Sequence, residues 1–471
     1  MPGSARSTSP RWGWLFDIGS TFTKLTVLDL DAPATRWRAQ APTTVATDVR
    51  DGFRAAIAAV HEQDGPRFGD AAFRAASSSA AGGLALVVSG LVRRLSAEAG
   101  RIAALGAGAK LVGTWSHQLT ARDVGDLEAA VPDIVLLTGG TDGGDRVTLL
   151  ENARALAAWD ACPAVIVAGN REVTEEATQL LCDAGVRATA VRNILPELDR
   201  LDVEPVREAI REEFLTNIIR AKGIDRVQEH LDVEILPTPG VVLGAVRLLA
   251  DRRFTHGLMA AEVGGATTNV HSSSAAPAHD GVVLRGLPEP ELKRTVEGDL
   301  GVRWNAETIH DLAGEPWFEQ HGADDREALA HYVTTVARAP ATLPGTEAER
   351  GFDALLATYA AQTAIRRHCG RHREVVLPTG PVLVQTGKDL RPIDVVIGTG
   401  GSVISAADPS ALLADALAGD DPFALVPEAP HVLVDADYAL YAVGLLAPAH
   451  PDAGVELAGH AFVESAAHCG A

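Results

Sequence analysis

Cysteine and long apolar runs are both scarce in this 471-residue chain. The four cysteines are Cys162, Cys182, Cys369 and Cys469, and no two of them form a C-x-x-C pair. This spacing offers neither a zinc site nor a disulfide framework and is typical of a reducing compartment. No apolar run reaches about 18 residues, and the N-terminus lacks the apolar core of a signal peptide. The sequence therefore predicts a cytoplasmic protein with a short disordered leader at 1–13 and no membrane partner.

Positive charge is the second scarcity. Lysine and arginine together number 41 against 62 aspartates and glutamates, which gives a formal net charge of −21. Such an acidic balance argues against nucleic acid or an anionic membrane as the main partner. A phosphate-binding site in this chain must therefore be built locally, from backbone N–H groups and a few cations. Lysine occurs at only five positions, and one of them, Lys24, follows a glycine turn.

That turn lies in "FDIGSTFTK", residues 16–24, between two apolar stretches. The alternation on either side predicts two strands joined by a Gly-Ser-Thr turn. A similar order recurs in "EVGGATTN", residues 262–269, where a carboxylate again ends a strand and small residues precede hydroxyls. Either stretch alone is equally consistent with an ordinary tight hairpin. The pair, followed downstream by "IGTGGSV" at 397–403, indicates more than a turn.

The two hairpin turns are candidate phosphate contacts. Small residues let the backbone approach an anion closely, and successive N–H groups form concave anion sites. Serine and threonine hydroxyls can add donors to the phosphate oxygens. We predict contacts from Gly19, Ser20, Thr21, Thr23 and Lys24 in the first turn, and from Gly264, Gly265, Ala266, Thr267 and Thr268 in the second.

The carboxylates and the third glycine cluster complete this prediction. Asp17 and Glu262 suit Mg²⁺, which prefers oxygen ligands. A purine or ribose can lie on the backbone of the third cluster, which comprises Gly398, Thr399, Gly400, Gly401 and Ser402. Together the three turns predict ATP with Mg²⁺, held between two halves of the chain.

Residues 84–198 have a different texture, in which short apolar runs alternate with helical stretches. The apolar runs are "LALVVSG", "KLVGTWS", "DIVLLTGG", "AVIVAGN" and "RATAVRN". This alternation predicts a doubly wound α/β domain. ATP binding does not require it, so it is either a structural insertion or a docking module, and the sequence leaves both open. "TGGTDGGD", at 138–145, is interpreted as a strand-to-helix turn of this domain rather than as another nucleotide loop.

These motifs resemble those of the actin, sugar kinase and seventy-kilodalton heat-shock ATPase superfamily. Along the chain, its first phosphate loop, first connecting helix, second phosphate loop, adenosine loop and second connecting helix correspond in that order to "FDIGSTFTK", "ILPTPGVVLGA", "AEVGGATTNV", "VVIGTGGSVI" and "YALYAVGLLA". Further segments resemble the glutamate mutase accessory proteins of the MutL or GlmL family, over residues 15–446. These segments are "PTTVATDVRDG", "ASSSAAGGL", "LTGGTDGG" and "LPEPELKRTVEGDLG".

The resemblance implies an α/β fold of two actin-like, ribonuclease H-like ATPase lobes with a nucleotide cleft, plus the inserted doubly wound α/β domain. The implied boundaries are 14–83 for the first part of lobe I, 84–198 for the insertion, 199–254 for a helical segment and hinge helix that complete lobe I, 255–437 for lobe II with a helical insertion at about 287–375, and 438–471 for a second hinge helix and a C-terminal tail. Closure over ATP at these hinge helices would reshape the surface offered to a partner.

The resemblance also implies a function. The family is associated with adenosylcobalamin-dependent mutases, and its members are expected to reactivate or protect them by driving exchange of damaged cofactor at the expense of ATP. Asp17, Glu262 and Asn269 are the implied catalytic residues, and mutase subunits are the implied partners. The second phosphate loop departs from the usual "DVGGATTDV", because Glu262 and Asn269 replace its two aspartates. A neutral amide cannot act as a base, so weakened rather than abolished ATP turnover is expected.

Three rival classes share parts of this pattern. A small-molecule kinase of the same superfamily would need a carboxylate base beside a substrate hydroxyl, and no motif marks one. An iron–sulfur activase needs closely placed cysteines, which this sequence lacks. A nucleotide-binding structural partner with little turnover is favoured by Glu262 and Asn269.

The insertion also resembles a cobalamin-binding domain, but the sequence lacks the D-x-H-x-x-G motif, so cobalt ligation is not expected.

Overall fold

The computed structural model of this chain describes residues 10–19, 22–44, 48–79, 84–198, 200–217, 224–275, 282–323, 325–378, 380–419 and 421–464. The chain divides into two compact units. The first unit comprises Met1–Ala245, Gly286–Pro290 and Tyr441–Leu457. The second unit comprises Val246–Arg285, Glu291–Leu440 and Ala458–Ala471.

The strands are β1 (Trp12–Ile18), β2 (Phe22–Asp29), β3 (Ala32–Pro42), β4 (Ala71–Ser78), β5 (Ala85–Gly90), β6 (Lys110–Ser116), β7 (Ile134–Leu137), β8 (Ala164–Val167), β9 (Ala188–Ala190), β10 (Leu236–Pro237), β11 (Leu258–Val263), β12 (Thr268–Ser273), β13 (Val282–Leu284), β14 (Leu292–Glu297), β15 (Arg371–Leu377), β16 (Gly380–Thr386), β17 (Val395–Thr399), β18 (His431–Asp435) and β19 (Phe462–Val463). The helices are α1 (Val49–Glu62), α2 (Ser96–Gly106), α3 (Ala121–Ala129), α4 (Val147–Ala157), α5 (Thr174–Asp183), α6 (Glu204–Asn217), α7 (Ile224–Gln228), α8 (Thr238–Arg252), α9 (Ala306–Ala313), α10 (Glu315–Gln320), α11 (Arg326–Arg338), α12 (Glu347–His368), α13 (Gly401–Ile404), α14 (Pro409–Leu417), α15 (Leu440–Leu446) and α16 (Pro451–Ala461). Among the helices that the structure describes, none is long and apolar enough to cross a membrane.

The first unit is built on a mixed sheet whose strands lie in the order β10-β4-β1-β2-β3. Strands β1, β2 and β3 are antiparallel neighbours, whereas β4 runs parallel to β1 and β10 runs parallel to β4. The predicted hairpin at 16–24 is thus the β1–β2 pair, and β1 begins at Trp12, inside the stretch predicted as a leader. Helix α1 packs Phe53 against Phe16 of β1, with ring centroids 4.4 Å apart. The carboxyl ends of β1, β4 and β10 all meet at one edge of this sheet.

The insertion forms a parallel sheet in the order β6-β5-β7-β8-β9, which is the predicted doubly wound arrangement. Successive side chains of a strand point to opposite faces. Val87 and Val135 therefore pack with helices α3, α4 and α5, whereas Leu86 and Ile134 pack with α2 and α6. The second group belongs to the same buried core as Trp14 of β1. The insertion consequently shares its hydrophobic core with the first sheet.

The second unit repeats the strand order of the first. Its main sheet has the order β14-β12-β11-β17-β18-β19, in which β11, β12 and β14 are antiparallel neighbours. Strand β17 runs parallel to β11, and β18 runs parallel to β17. Helix α12 packs Leu356 and Ala360 into the core that Met259 and Val270 of the sheet enter. The carboxyl ends of β11, β17 and β18 therefore share one edge. A smaller sheet, β13-β16-β15, also belongs to this unit.

The helical insertion predicted at about 287–375 is wrong at its two ends. Strand β14 is the third strand of the main sheet, and β15 begins at Arg371. A buried strand is identified in a sequence by a run of apolar residues. In β14 the adjacent cations Lys293 and Arg294 are buried instead, so the sequence does not show this pattern. Helices α9 to α12 occupy the stretch between them.

Candidate functional site

In the first unit, Asp17 lies near the carboxyl end of β1 and is only 7% exposed. Its neighbours across the sheet are Lys24 on β2 and Ser77 on β4. Ser77 Oγ donates a hydrogen bond to Asp17 Oδ1 at 3.0 Å, and Thr238 Oγ1 donates to the same oxygen at 2.7 Å. Thr238 opens helix α8 directly after β10. Three parallel strands therefore bring their carboxyl-terminal groups to one carboxylate.

Lys24 contributes the positive charge at this edge. Its Nζ lies 3.9 Å from Asp17 Oδ2, and 33% of its side chain is exposed. The two hydroxyl donors fix one oxygen of Asp17, while the ammonium lies beside the other. A carboxylate of fixed orientation suits Mg²⁺, and a partly exposed ammonium suits a phosphate. Ser20 and Thr21, which were predicted to join this group, lie outside the described residues.

The turn that joins β1 to β2 is tight. The N–H of Gly19 donates to the carbonyl oxygen of Phe22 at 3.0 Å. A Cβ at Gly19 would lie 2.8 Å from that oxygen, so a side chain would not fit without a shift of the turn. Thr23 is fully buried, and its hydroxyl shares a 3.1 Å hydrogen bond with the hydroxyl of Thr43. Contact between Thr23 and phosphate stays a prediction, since here the hydroxyl is bonded to Thr43, directly after β3.

In the second unit, Glu262 lies near the carboxyl end of β11 and pairs with Asn269 across the hairpin to β12. Asn269 Nδ2 donates to Glu262 Oε2 at 3.1 Å, and Asn269 Oδ1 accepts from Arg294 Nη2 at 3.2 Å. Burial lowers the pKa of Arg294 to about 10, and the charge of Glu262 opposes that shift. The three side chains form one hydrogen-bonded chain. The sequence predicted no role for Arg294, although it lies in "LPEPELKRTVEGDLG", one of the segments that resemble mutase accessory proteins.

The turn after Glu262 is held from one side by a later loop. The N–H of Gly264 donates to the carbonyl of Thr267 at 3.0 Å, which closes the turn. The carbonyl oxygens of Gly264 and Gly265 accept from the N–H groups of Val302 and Arg303, at 3.1 and 2.9 Å. These bonds fix the direction of the peptide groups in the turn. The turn is therefore shaped by the protein itself.

The polar groups of this turn divide into two kinds. Thr268 is fully buried and donates its hydroxyl to the carbonyl of Leu300 at 2.6 Å, so its contact with phosphate stays a prediction. The N–H groups of Gly265 and Ala266, in contrast, donate to no other group in the part of the chain that the structure describes. Two successive amides of this kind are suited to an anion.

The third glycine cluster follows β17 and opens the short helix α13. Gly400 has φ 108° and ψ 152°, a region that only glycine adopts readily. A Cβ at Gly400 would lie 2.1 Å from the carbonyl oxygen of Val263, and one at Gly398 would lie 2.3 Å from Leu413 Cδ1. The backbone of this cluster therefore lies directly against the end of β11, where only glycine leaves enough room.

Thr399 connects the cluster to β18. Its Cα pairs with that of Glu262 across the sheet, and its hydroxyl donates to Asp435 Oδ2 at 3.1 Å. Asp435 is fully buried and also accepts from the N–H groups of Ala439 and Leu440, at 2.7 and 3.1 Å. It thus caps the start of α15 while holding the glycine cluster. The sequence pattern predicted no role for Asp435, although a carboxylate between an apolar strand and a helix is a recognisable capping signal.

The structure groups the predicted residues by unit. Asp17, Gly19, Thr23 and Lys24 belong to the first unit, and Glu262, Asn269, residues 264–268 and residues 398–402 belong to the second. Ser402 is buried in α13. A Mg²⁺ bound by both Asp17 and Glu262 stays a prediction.

The donor set of each unit fits Mg²⁺ bound together with a nucleotide. Within the described ranges, no three His, Cys, Asp or Glu side chains lie close enough together to hold a metal ion. Mg²⁺ is commonly bound through one or two carboxylates, and phosphates and waters complete its coordination. One carboxylate of fixed orientation in each unit agrees with that chemistry.

The duplicated sheet defines the class of protein. Three antiparallel strands followed by parallel ones occur in the same order in both units, with a carboxylate near the end of the first strand and a glycine hairpin after it. This is the ribonuclease H-like arrangement of actin-like ATPases, so the predicted fold class is confirmed.

Comparison with known proteins narrows the class to a family. The model of a family described as MutL protein matches residues 14–462. Protein MutL of Clostridium tetanomorphum is 38% identical over 452 residues, which cover 94% of this chain and 97% of that protein. The chain therefore belongs to the MutL family.

More distant likenesses occur among solved structures. Acetone carboxylase in its nucleotide-free form is 14% identical with a TM-score of 0.43, over 93% of this chain and 70% of that one. An ATP-dependent caprolactamase from Pseudomonas jessenii is 14% identical with a TM-score of 0.41, over 92% and 70%. A xylulose kinase from Bifidobacterium adolescentis is 14% identical with a TM-score of 0.31, over 95% and 93%.

Proposed function

We propose that this protein binds ATP with Mg²⁺ at its glycine turns and hydrolyses the nucleotide slowly. We further propose that this cycle reactivates or protects an adenosylcobalamin-dependent mutase, related to glutamate mutase, by driving exchange of damaged cofactor. Membership of the MutL family supports the second part, because the sequence motifs resemble those of mutase accessory proteins. The arrangement of the glycine turns supports the first part.

One observation carries the nucleotide part of the proposal. In each unit, a carboxylate near the end of the first sheet strand, Asp17 or Glu262, directly precedes a glycine hairpin. Ligands of α/β sheets bind beyond the carboxyl ends of parallel strands, which is where both carboxylates lie. Mg²⁺, when bound, neutralises charge on the phosphates. Asp17 and Glu262 would hold the metal and orient water, and Lys24 would offset phosphate charge, since phosphoryl transfer depends mainly on positioning and charge.

Nucleotide binding is tested by calorimetry with Mg²⁺ and a non-hydrolysable ATP analogue, together with phosphate release from ATP. Asp17→Ala is expected to weaken Mg-nucleotide binding by about tenfold or more, because it removes a bound carboxylate with two hydroxyl donors. It should also abolish phosphate release. Asp31→Ala is the matched control, since Asp31 is exposed in the turn between β2 and β3 and pairs with Arg11, just before β1. Absence of nucleotide binding, or equal behaviour of the two variants, would contradict the proposal.

The client part needs a mutase whose site holds an inactive cobalamin. Activity should recover when this protein, ATP, Mg²⁺ and fresh adenosylcobalamin are all added, and any single omission should prevent recovery. Asp17→Ala protein should fail in the same assay, whereas Asp31→Ala protein should succeed. Recovery without ATP would show that nucleotide does not drive the exchange.

A nucleotide-binding partner with little turnover is the second candidate. Asn269 favours it, because the neutral amide is bonded to Glu262 and Arg294 and cannot serve as a base. If a non-hydrolysable analogue supports mutase recovery as well as ATP does, binding alone is sufficient. A small-molecule kinase would instead show ATP consumption that rises with added sugars or carboxylic acids.

A further inference from the structure

We infer that Arg294 and Asn269 are positioning residues, which hold the carboxylate of Glu262 in the orientation that Mg-nucleotide binding requires. The inference rests on the proposed nucleotide site and extends it to residues outside the glycine turns. It also gives a role to the asparagine that this chain carries where the usual motif of the family has its second aspartate.

The register of the sheet brings the three side chains together. The Cα of Asn269 pairs with that of Glu262 on one side and with that of Val296 on the other. Arg294 lies two residues before Val296 on β14, so its side chain emerges on the same face of the sheet as that of Asn269. Diagonal neighbours of this kind are within reach of a long side chain. The sheet itself therefore aligns an arginine, an amide and a carboxylate in one row.

The hydrogen-bond chemistry of the row depends on the amide in the middle. A carboxylate only accepts hydrogen bonds and a guanidinium only donates them, whereas an amide does both. The side-chain oxygen of Asn269 accepts a hydrogen bond from the guanidinium of Arg294, and its side-chain nitrogen donates one to Glu262 Oε2. An ionised aspartate at this position could accept from Arg294 but could offer no donor to Glu262. Replacement of the second aspartate by asparagine therefore turns two repelling carboxylates into a continuous chain.

Burial makes the row rigid. Arg294 is 6% exposed and Asn269 is 8% exposed, so solvent does not replace the hydrogen bond between them. In the same β12–β14 pair, the fully buried His271 has its Cα opposite that of Arg294, and burial together with that cation lowers the pKa of His271 well below its usual value. A neutral imidazole places no second cation beside the guanidinium, whose charged form the carboxylate of Glu262 stabilises. Glu262 itself is half-buried, and the hydrogen bond from Asn269 orients its carboxylate.

If Arg294 positions Glu262, its loss should reduce the gain in nucleotide affinity that Mg²⁺ provides. The test measures the affinity of the full-length protein for a non-hydrolysable ATP analogue with and without Mg²⁺, by calorimetry. For Arg294→Met, the gain in affinity that Mg²⁺ provides should fall by about tenfold, since a charge-assisted hydrogen bond is lost. Affinity without Mg²⁺ should change much less. Arg294→Lys, which keeps the charge, should recover part of the gain.

Arg367→Met is the matched control in the same unit. Arg367 pairs with Glu297 and Asp299 near the surface, at 2.7 and 2.8 Å, and is not part of the glycine turns. This variant should keep the full gain from Mg²⁺. If Arg294→Met protein is too unstable to purify, Asn269→Ala removes both hydrogen bonds of the row and should show the same selective loss.

The outcomes separate the inference from the proposed function. If the wild-type protein binds no nucleotide with or without Mg²⁺, the proposed function fails and the inference fails with it. If the wild-type protein binds and Arg294→Met keeps the full gain from Mg²⁺, the inference alone is wrong. An equal loss of affinity with and without Mg²⁺, accompanied by a lower melting temperature, would show a purely structural role and would also overturn it.

Discussion

Replacement of Gly400 by alanine is the most direct test of how the third glycine cluster is held. Gly400 adopts φ 108° and ψ 152° between β17 and α13. A Cβ there would lie 2.1 Å from the carbonyl oxygen of Val263, 2.8 Å from its carbonyl carbon and 3.0 Å from its nitrogen. These atoms are backbone at the end of β11, where Val263 pairs with Thr268 of β12, so they cannot move aside as the end of a flexible side chain would.

Two costs add for this substitution. The backbone region costs a residue with a side chain about 1–3 kcal/mol, and forcing an extra methyl into a packed site costs about 1–3 kcal/mol more. We therefore expect Gly400→Ala to lower the free energy of unfolding by about 4 kcal/mol, the midpoint of the summed range. Because each 1.4 kcal/mol or so is tenfold in an equilibrium constant, the folded fraction relative to the unfolded should fall by roughly a hundredfold or more.

The neighbouring glycine supplies the control. A Cβ at Gly401 would meet only the hydroxyl oxygen of Tyr438, at 3.2 Å, and Gly401 is exposed at the first position of α13. Alanine in a helix is favoured over glycine by about 0.5–1 kcal/mol, so Gly401→Ala should be close to neutral. Urea unfolding followed by circular dichroism would measure both variants beside the wild type. If the two variants unfold within about 0.5 kcal/mol of each other, the cluster does not lie against β11 as described.

Three further predictions concern packing and charge. Arg303 forms a buried ion pair with Asp353. Because a lone buried charge is costly, Asp353→Asn should destabilise the second unit by about 3–5 kcal/mol. Addition of Arg303→Met should recover part of this loss, as measured by a double-mutant cycle in urea. In α15, a Cβ at Gly444 would lie 2.1 Å from a backbone carbonyl oxygen of α8, so Gly444→Ala should lower the melting temperature, whereas Gly244→Ala, with nothing within 4 Å, should not. Arg367 holds the pKa of Asp299 below its usual value. The stability that this pair adds should therefore be present above about pH 4 and lost as the pH falls through the lowered pKa. The difference in urea midpoint between wild type and Arg367→Met should shrink in that range.

Local patterns in the sequence were sufficient for the elements that depend on neighbours along the chain. The hairpin after Asp17 and the alternating strands and helices of residues 84–198 both follow from alternation, apolar runs and turn residues. These signals lie within a few residues of the structure that they specify. The glycine turns were visible for the same reason.

The groups that complete the site were not predictable, because they come from distant parts of the chain. Thr238 reaches Asp17 across 221 positions, and its hydroxyl is one of many in the sequence. Arg294 lies on a strand whose buried cations hide its periodicity. Thr23 and Thr268 carry hydroxyls that look available, but the alternation of strand faces turns both inward.

The hydrophobic core that joins the first sheet to the α/β insertion has a consequence for synthesis of the chain. Trp14 and Phe16 belong to the amino-terminal segment that ends with β4 at Ser78. Ile224 and Ile235 of the same core leave the ribosome about 150 residues after β4. At roughly 5–20 residues per second, that segment waits on the order of ten seconds before its core is complete. Tyr441, whose hydroxyl lies 3.0 Å from that of Thr26, arrives later still. The nascent amino terminus is therefore a natural client for the folding machinery of the cell until most of the chain has emerged.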